Sequence, residues 1–229
     1  MIKSIRFAFI ALLATAFITS CKEETEEVSQ QSYNEYFPDQ VGTYIIYDCD
    51  SLYYNDFTGN TDTFRFQIKE YYESEFTDNS GRRAIRLERY KRASELASWQ
   101  LKDVWFVVKS DFAVEKVEED VRLLKLRFPL KDGLTWNINA LNNKGEREVE
   151  ASKLHEPFNN GSLSFDSTVT VENTDPSNLI NEYRDTEVFA RNFGLVYKRF
   201  VDVEYLLPPA TGIRSGVVYT MKAIEKGTE

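Results

Sequence analysis

Chemistry in proteins is carried by few side-chain types, and this chain of 229 residues is poor in most of them. It has one histidine, His155, and two cysteines, Cys21 and Cys49. A zinc site, a Cys/His pair or a Ser/His/Asp triad has almost no raw material here. Cys49 stands between Asp48 and Asp50, whereas a nucleophilic thiolate wants positive neighbours; it reads as a small core residue. Asp48, Asp50, Asp56 and Asp62 could approach a calcium ion, but their spacing is not that of an EF-hand loop. No P-loop, G-x-G-x-x-G, G-x-S-x-G or H-E-x-x-H motif is present, so neither an enzymatic centre nor a cofactor is expected.

Binding chemistry has better material. Aromatic residues make up 14% of the chain. Trp99, Trp105, Trp136 and Tyr44 are the candidates for stacking on a sugar or lining an apolar cavity. The run "RRAIRLERYKR" (residues 82–92) has six positive charges against Glu88 alone, in a chain of net charge −9. Arg82, Arg83 and Arg86 could grip phosphates or acidic sugars through bidentate contacts. Alternatively they pair with Glu70, Glu73 and Glu75 of the neighbouring strand, since opposite charges across a ladder stabilise it. The acidic balance excludes nucleic acid as a natural partner.

These residues must be held by strands. From Thr43 the apolar period is two: Thr43, Ile45, Tyr47 and Cys49 alternate with Tyr44, Ile46, Asp48 and Asp50. "TFRFQIKEYYESEF" alternates likewise, and "TDNSG" closes a hairpin into the basic run. Further strands are expected at 103–109, 113–117, 121–128, 134–141, 146–154, 162–172, 186–190, 195–206 and 216–225. Only 93–99 and 176–184 have any helical character, and both are short. The fold class is therefore all-β, an antiparallel, strongly twisted sheet with at most short helices. "FPLKDGLTWN" (128–137) and its echo "FPDQVGTY" (37–44) each combine a proline that ends a strand with a glycine turn. They suggest two similar halves, 36–127 and 128–229, and read either as strand entries or as a shared ligand-contacting rim.

The first twenty residues have Lys3 and Arg6 before an apolar run too short to span a bilayer, the pattern of a secretory signal peptide. Ile18-Thr19-Ser20-Cys21 resembles a bacterial lipobox. The resemblance implies cleavage before Cys21, diacylglycerol on its thiol and acylation, palmitate among the chains, of the new amino terminus. Several acyl chains anchor far more firmly than one. Residues 21–35 are acidic and offer little to bury, so they read as a disordered, lipidated tether. About 14 such residues reach roughly 50 Å when extended. Lys22-Glu23-Glu24 resembles the acidic export tag that sends Bacteroidota-type lipoproteins to the outer face of the outer membrane; the alternative is the periplasmic face. With Cys21 committed to lipid, Cys49 has no disulfide partner.

The lipobox, its acidic tail, "YFPDQVGTYIIYDCDSLYY", "WQLKDVWFVVKS", "RFPLKDGLTWN", "GSLSFDSTVTV" and "ARNFGLVYKRF" together resemble a family of Bacteroidota-type outer-membrane lipoproteins without an assigned activity, so no catalytic residue is transferred. The "FPLKDGLTW" and "NFGLVYK" segments are distantly similar to envelope β proteins with half-barrel or lipocalin-like sheets. Asp50-Ser51-Leu52 and Asp166-Ser167-Thr168 resemble the short O-glycosylation acceptor of Bacteroidota envelope proteins, which would make Ser51 and Ser167 modification sites. The expected role is a non-enzymatic module for an apolar or glycan ligand or a protein partner, attached to the membrane through Cys21. The alternative is an accessory subunit of an outer-membrane complex without a small-molecule site.

Overall fold

Local alternation becomes twelve strands in the computed structural model, which describes residues 33–174 and 177–229. They are β1 (Thr43–Tyr54), β2 (Thr61–Thr77), β3 (Arg83–Arg92), β4 (Gln100–Lys109), β5 (Ala113–Glu118) and β6 (Val121–Arg127), then β7 (Leu134–Asn137), β8 (Glu148–Asn159), β9 (Ser164–Asn173), β10 (Asn181–Ala190), β11 (Gly194–Tyr205) and β12 (Ile213–Thr228). Every neighbouring pair is antiparallel, in the order β6-β5-β4-β3-β2-β1-β12-β11-β10-β9-β8-β7. The signal segment, Cys21 and most of the acidic tether fall outside the described residues.

Topologically the sheet is two six-stranded meanders, β1–β6 and β7–β12, joined where β1 pairs with β12 from Thr43↔Thr228 to Tyr54↔Gly216. The two outer strands meet at the other side. Leu124 N donates to Ile138 O at 2.9 Å, and Trp136 Nε1 donates to Leu124 O at 2.8 Å. The sheet is thereby nearly closed into a barrel, which leaves few open backbone groups at its edges. The expectation of an all-β, antiparallel, barrel-like fold holds.

Both F-P-x-x-x-G segments make the same turn. Thr43 N donates to Gln40 O at 3.2 Å, and Leu134 N donates to Lys131 O at 3.1 Å. Gly42 (φ +87°) and Gly133 (φ +75°) occupy the third turn position, where a positive φ is needed. Their amides then bond to the second strand of their own meander, Gly42 N to Tyr72 O and Gly133 N to Ala151 O, both at 2.8 Å. Phe37 and Phe128 are buried beneath these turns. Each segment is a strand entry, placed identically at the start of each meander.

Strand direction alternates, so the barrel has two distinct ends. At the entry end the chain itself fills the interior: Phe37 lies 6.4 Å from the Tyr72 ring and 6.1 Å from that of Phe189. Tyr36 Oη contacts His155 Nδ1 and Ser167 Oγ, both at 2.8 Å. Apolar side chains from the whole ring, among them Ile45, Tyr47, Leu87, Val114 and Leu126, complete this core. The opposite end, reached by the β1–β2, β3–β4 and β11–β12 connections, is not filled this way.

Four local expectations change. Residues 93–99 form turns rather than a helix; a segment that short does not nucleate one, and Arg92 Nη1 instead holds Glu95 O at 3.1 Å. The other helical candidate runs into residues 175–176, outside the described set, and Asn181–Arg184 already belong to β10. β7 stops at Asn137 instead of reaching 141, because Asn137 Oδ1 accepts the amides of Asn139 and Arg147 and turns the chain. The strand expected at 146–154 runs on through His155 to Asn159 as β8, although φ of +55° at Lys153 and +64° at His155 breaks the register there.

Candidate functional site

The unfilled end holds a cavity of about 310 Å³ whose two walls differ in chemistry. One wall comes from β2, β11 and β12 and is apolar: Phe66, Ile68, Leu195, Tyr219 and Met221. Phe66 and Tyr219 stack with centroids 6.4 Å apart and planes at 21°. The other wall comes from β3, β4, β5, β10 and β11, with Glu70 of β2, and carries Trp105 among ions. The Arg89 guanidinium lies 3.9 Å and the Lys116 ammonium 4.6 Å from the Trp105 ring centre. The size is at the lower end of the range usual for small-molecule sites.

The ions of this wall are tied together. Arg89 bridges Asp103 (2.8 Å) and Glu70 (3.2 Å), and Lys116 bridges Glu70 (3.1 Å) and Glu118 (3.4 Å). Glu187 accepts from Lys125 at 2.6 Å and from Lys198 at 2.7 Å, and Lys198 also meets Asp185 at 3.0 Å. Burial by itself pushes the Glu187 carboxyl up, but the two ammonium groups more than reverse this and hold it well below the usual carboxylate range. Glu118 is lowered in the same way: burial opposes, and Lys116, Lys125 and Lys198 prevail. Lys198 moves up, since Glu187, Asp185 and Glu118 outweigh its burial.

Fixed charge is what this arrangement supplies. A general acid or base works best with a pKa near the working pH, whereas these carboxylates stay ionised and this ammonium stays protonated. Cys49, beneath the apolar wall, is pushed up to about 12 by burial and accepts from Tyr219 Oη at 3.2 Å. A buried thiol of that kind is not a nucleophile. Among the described residues no three His, Cys, Asp or Glu side chains converge to hold a metal ion.

Comparison with known proteins adds little. No protein-family model matches the chain, and no curated protein matches it. A solved structure of a candidate lipoprotein from Parabacteroides distasonis ATCC 8503 aligns over 84% of this chain and 98% of its own, at 10% identity and a TM-score of 0.46. A likeness of that degree assigns neither site nor activity.

The residues singled out in the sequence are dispersed by the fold. Trp105 lines the cavity. Trp99 stacks under the Arg92 guanidinium at 4.2 Å in the β3–β4 connection, and Trp136 is buried at the barrel seam. Tyr44 lies outside the cavity wall and donates to Glu225 at 2.6 Å. Arg82 pairs with Asp78 and Glu115, Arg83 with Glu75 and Asp39, and Arg86 with Glu88 and, at 3.6 Å, Glu73. Of these, Arg83–Glu75 and Arg86–Glu73, with Arg89–Glu70, are the β2–β3 cross-strand pairs that were expected, whereas Arg82 pairs with the turn and with β5 instead. Ser51 lies in β1 between Phe64 and Tyr219 of the flanking strands, and Ser167 lies in β9, contacted by Tyr36. Cys21 is outside the described residues.

Sequence reasoning passed over Lys116, Lys125, Glu187 and Lys198. A signal for one of them was present: in "RLLKLRF" Lys125 stands between Leu124 and Leu126, an ion at the centre of a strand whose other charges, Arg122 and Arg127, lie towards its ends. Such a residue is either a strand-edge lysine or a buried ion awaiting a partner.

Proposed function

We propose that the protein is a lipid-anchored cell-envelope module that binds a small ligand, apolar or glycan, without transforming it. The observation that carries this reading is the open cavity, with an aromatic and aliphatic wall facing a wall of fixed charges. A sugar or a compact apolar molecule with polar edges suits both walls. Fixed charges orient such a ligand, and none of them is poised to exchange a proton with it. The cavity adjoins the β3–β4 connection, at the end of the barrel opposite the one that Tyr36 and Phe37 fill.

The probe 1-anilinonaphthalene-8-sulfonate, which combines flat rings with one anion, tests the cavity. Saturable one-to-one binding that quenches tryptophan emission is expected. Trp105→Ala should weaken it about tenfold, the loss of one aromatic contact of roughly 1.4 kcal/mol. Unsaturable binding, or equal affinity in the variant, overturns the cavity reading. For the anchor, the lipobox predicts that Cys21→Ala moves the protein from the membrane fraction to the soluble one. Unchanged membrane association in carbonate-washed fractions would sink the lipoprotein assignment.

One observation favours the accessory-subunit reading. Phe57, Leu96 and Leu179, each on a connection at the cavity end, are almost fully exposed. Apolar tips of that kind suit contact with an outer-membrane protein partner. Retention of a specific partner on purification from native membranes, lost when all three are changed to serine, is the outcome that favours it.

A further inference from the structure

Outside the cavity mouth lies a groove of about 650 Å³ between the ends of β2, β3 and β4 and the β3–β4 connection. It shares Phe66, Lys91 and Lys102 with the cavity, so groove and cavity adjoin. Its lining contains Arg65, Lys91, Arg92 and Lys102 and not a single carboxylate, in a chain of net charge −9. From this juxtaposition we propose that the groove is a subsite for the anionic groups of an acidic oligosaccharide, whose end residue enters the cavity. The proposal rests on the reading of the cavity as a ligand site and adds the class of ligand.

Two of the four cations are arranged for this task. The Arg92 guanidinium lies over the Trp99 ring at 4.2 Å and donates to Gln67 Oε1 at 2.7 Å and to Glu95 O at 3.1 Å. These contacts use Nε and Nη1 and leave the Nη2 edge without a partner among the described residues. A guanidinium fixed in this way loses little freedom when it donates to a carboxylate. Lys91 Nζ stands 3.9 Å from the Phe66 ring centre. Neither Arg92 nor Lys91 is paired with a carboxylate, whereas Arg65 is paired with Asp50 and Lys102 with Asp103.

The surfaces between the cations point to sugar rather than lipid. Phe64 and Leu101, each about half exposed, give the groove apolar patches interleaved with charge. That pattern matches the apolar ring faces and charged edges of a uronic-acid chain. An acyl chain would instead need apolar contact on all sides. The cavity denies it that, because Arg89, Lys116 and Glu187 face the apolar wall.

Hexagalacturonate and its fully methyl-esterified form, titrated by calorimetry against the full chain, are the test. Binding of the acid is expected to weaken as salt rises and to exceed binding of the ester at least tenfold. The Lys91→Gln/Arg92→Gln variant should lose at least tenfold in affinity for the acid while keeping the wild-type far-UV circular dichroism spectrum, which shows that the barrel is still folded. Equal binding of acid and ester, full affinity in the variant, or no binding of hexagalacturonate overturns the proposal. The anilinonaphthalenesulfonate titration of the wild-type protein separates the two failures. If that probe binds one-to-one and hexagalacturonate does not, only the acidic-chain inference falls.

Discussion

Replacing Glu187 by glutamine is expected to remove about 3–5 kcal/mol of folding stability, the usual cost of stranding a buried charge. The side chains of Glu187 and Lys125 are only 7% and 5% exposed, and Lys198 is one-fifth exposed. Without the carboxylate, Lys125 keeps no anionic partner within ion-pair reach, while Lys198 retains Asp185. Lys125→Met combined with Glu187→Leu should recover much of the loss, since an apolar pair of similar size avoids desolvating either ion. Urea unfolding of the single and double variants measures both effects. A loss below about 1 kcal/mol in Glu187→Gln would show that the pair is wet rather than buried.

The same residue makes stability depend on pH with a definite sign. Its carboxyl is lower in the fold than the ordinary glutamate value near 4.3, so the folded state binds fewer protons than the unfolded chain. The stabilisation is therefore complete above the unfolded pKa and is lost as pH falls through the lower folded one. Glu118 and Glu115 shift in the same direction and add to it; for Glu115, burial opposes while Arg82 and Arg122 lower it. The gap in stability between wild type and Glu187→Gln should narrow from pH 5 towards pH 2. A gap independent of pH would contradict the assigned charge state.

Trp136→Ala should cost about 3–5 kcal/mol, the range for removing a large buried ring. The ring sits in the main core, and its Nε1 supplies the donor for Leu124 O where β6 and β7 meet. Trp136→Phe separates the two contributions: it keeps most of the ring volume and leaves the carbonyl unpaired, a change of about 1–3 kcal/mol. The seam makes a local prediction as well. Leu124 N donates to Ile138 O across it, so amide exchange at Leu124 should accelerate in Trp136→Ala more than exchange in the β1–β12 ladder. Equal acceleration in both places would mean that the tryptophan supports the whole core and not the seam in particular.

The sequence made some of this legible, and particular residues show why. Period-two alternation from Thr43 onward and the Asp78–Gly81 turn are local, so β1, β2, β3 and their order could be read directly. The facing rows Glu70, Glu73, Glu75 and Arg89, Arg86, Arg83 foretold their own pairing once a hairpin joined them. Phe128 to Trp136 could be read as a strand entry, because proline and glycine restrict the backbone wherever they occur. The same reasoning placed Trp105, Trp136 and Arg82 together as candidate ligand contacts. Position along a strand could not tell which of them lies in the cavity, which at the seam and which in an ion pair near the other end.

By itself, then, the sequence determined most of the strands, their antiparallel pairing within each meander and the turn at each F-P segment. All of these depend on residues within a few positions of one another or across one hairpin. Only the tertiary structure decided the rest. β1 meets β12 across nearly the full length of the chain, and Trp136 meets Leu124 across the seam. Glu187, Lys125 and Lys198 come together from three different strands. A buried charge is tolerable only when its partner arrives, and that partner is chosen by closure of the barrel. The groove beside Lys91 and Arg92 is built within the consecutive strands β2, β3 and β4, whereas the cavity also needs Glu187, Lys198, Tyr219 and Met221 from β10, β11 and β12.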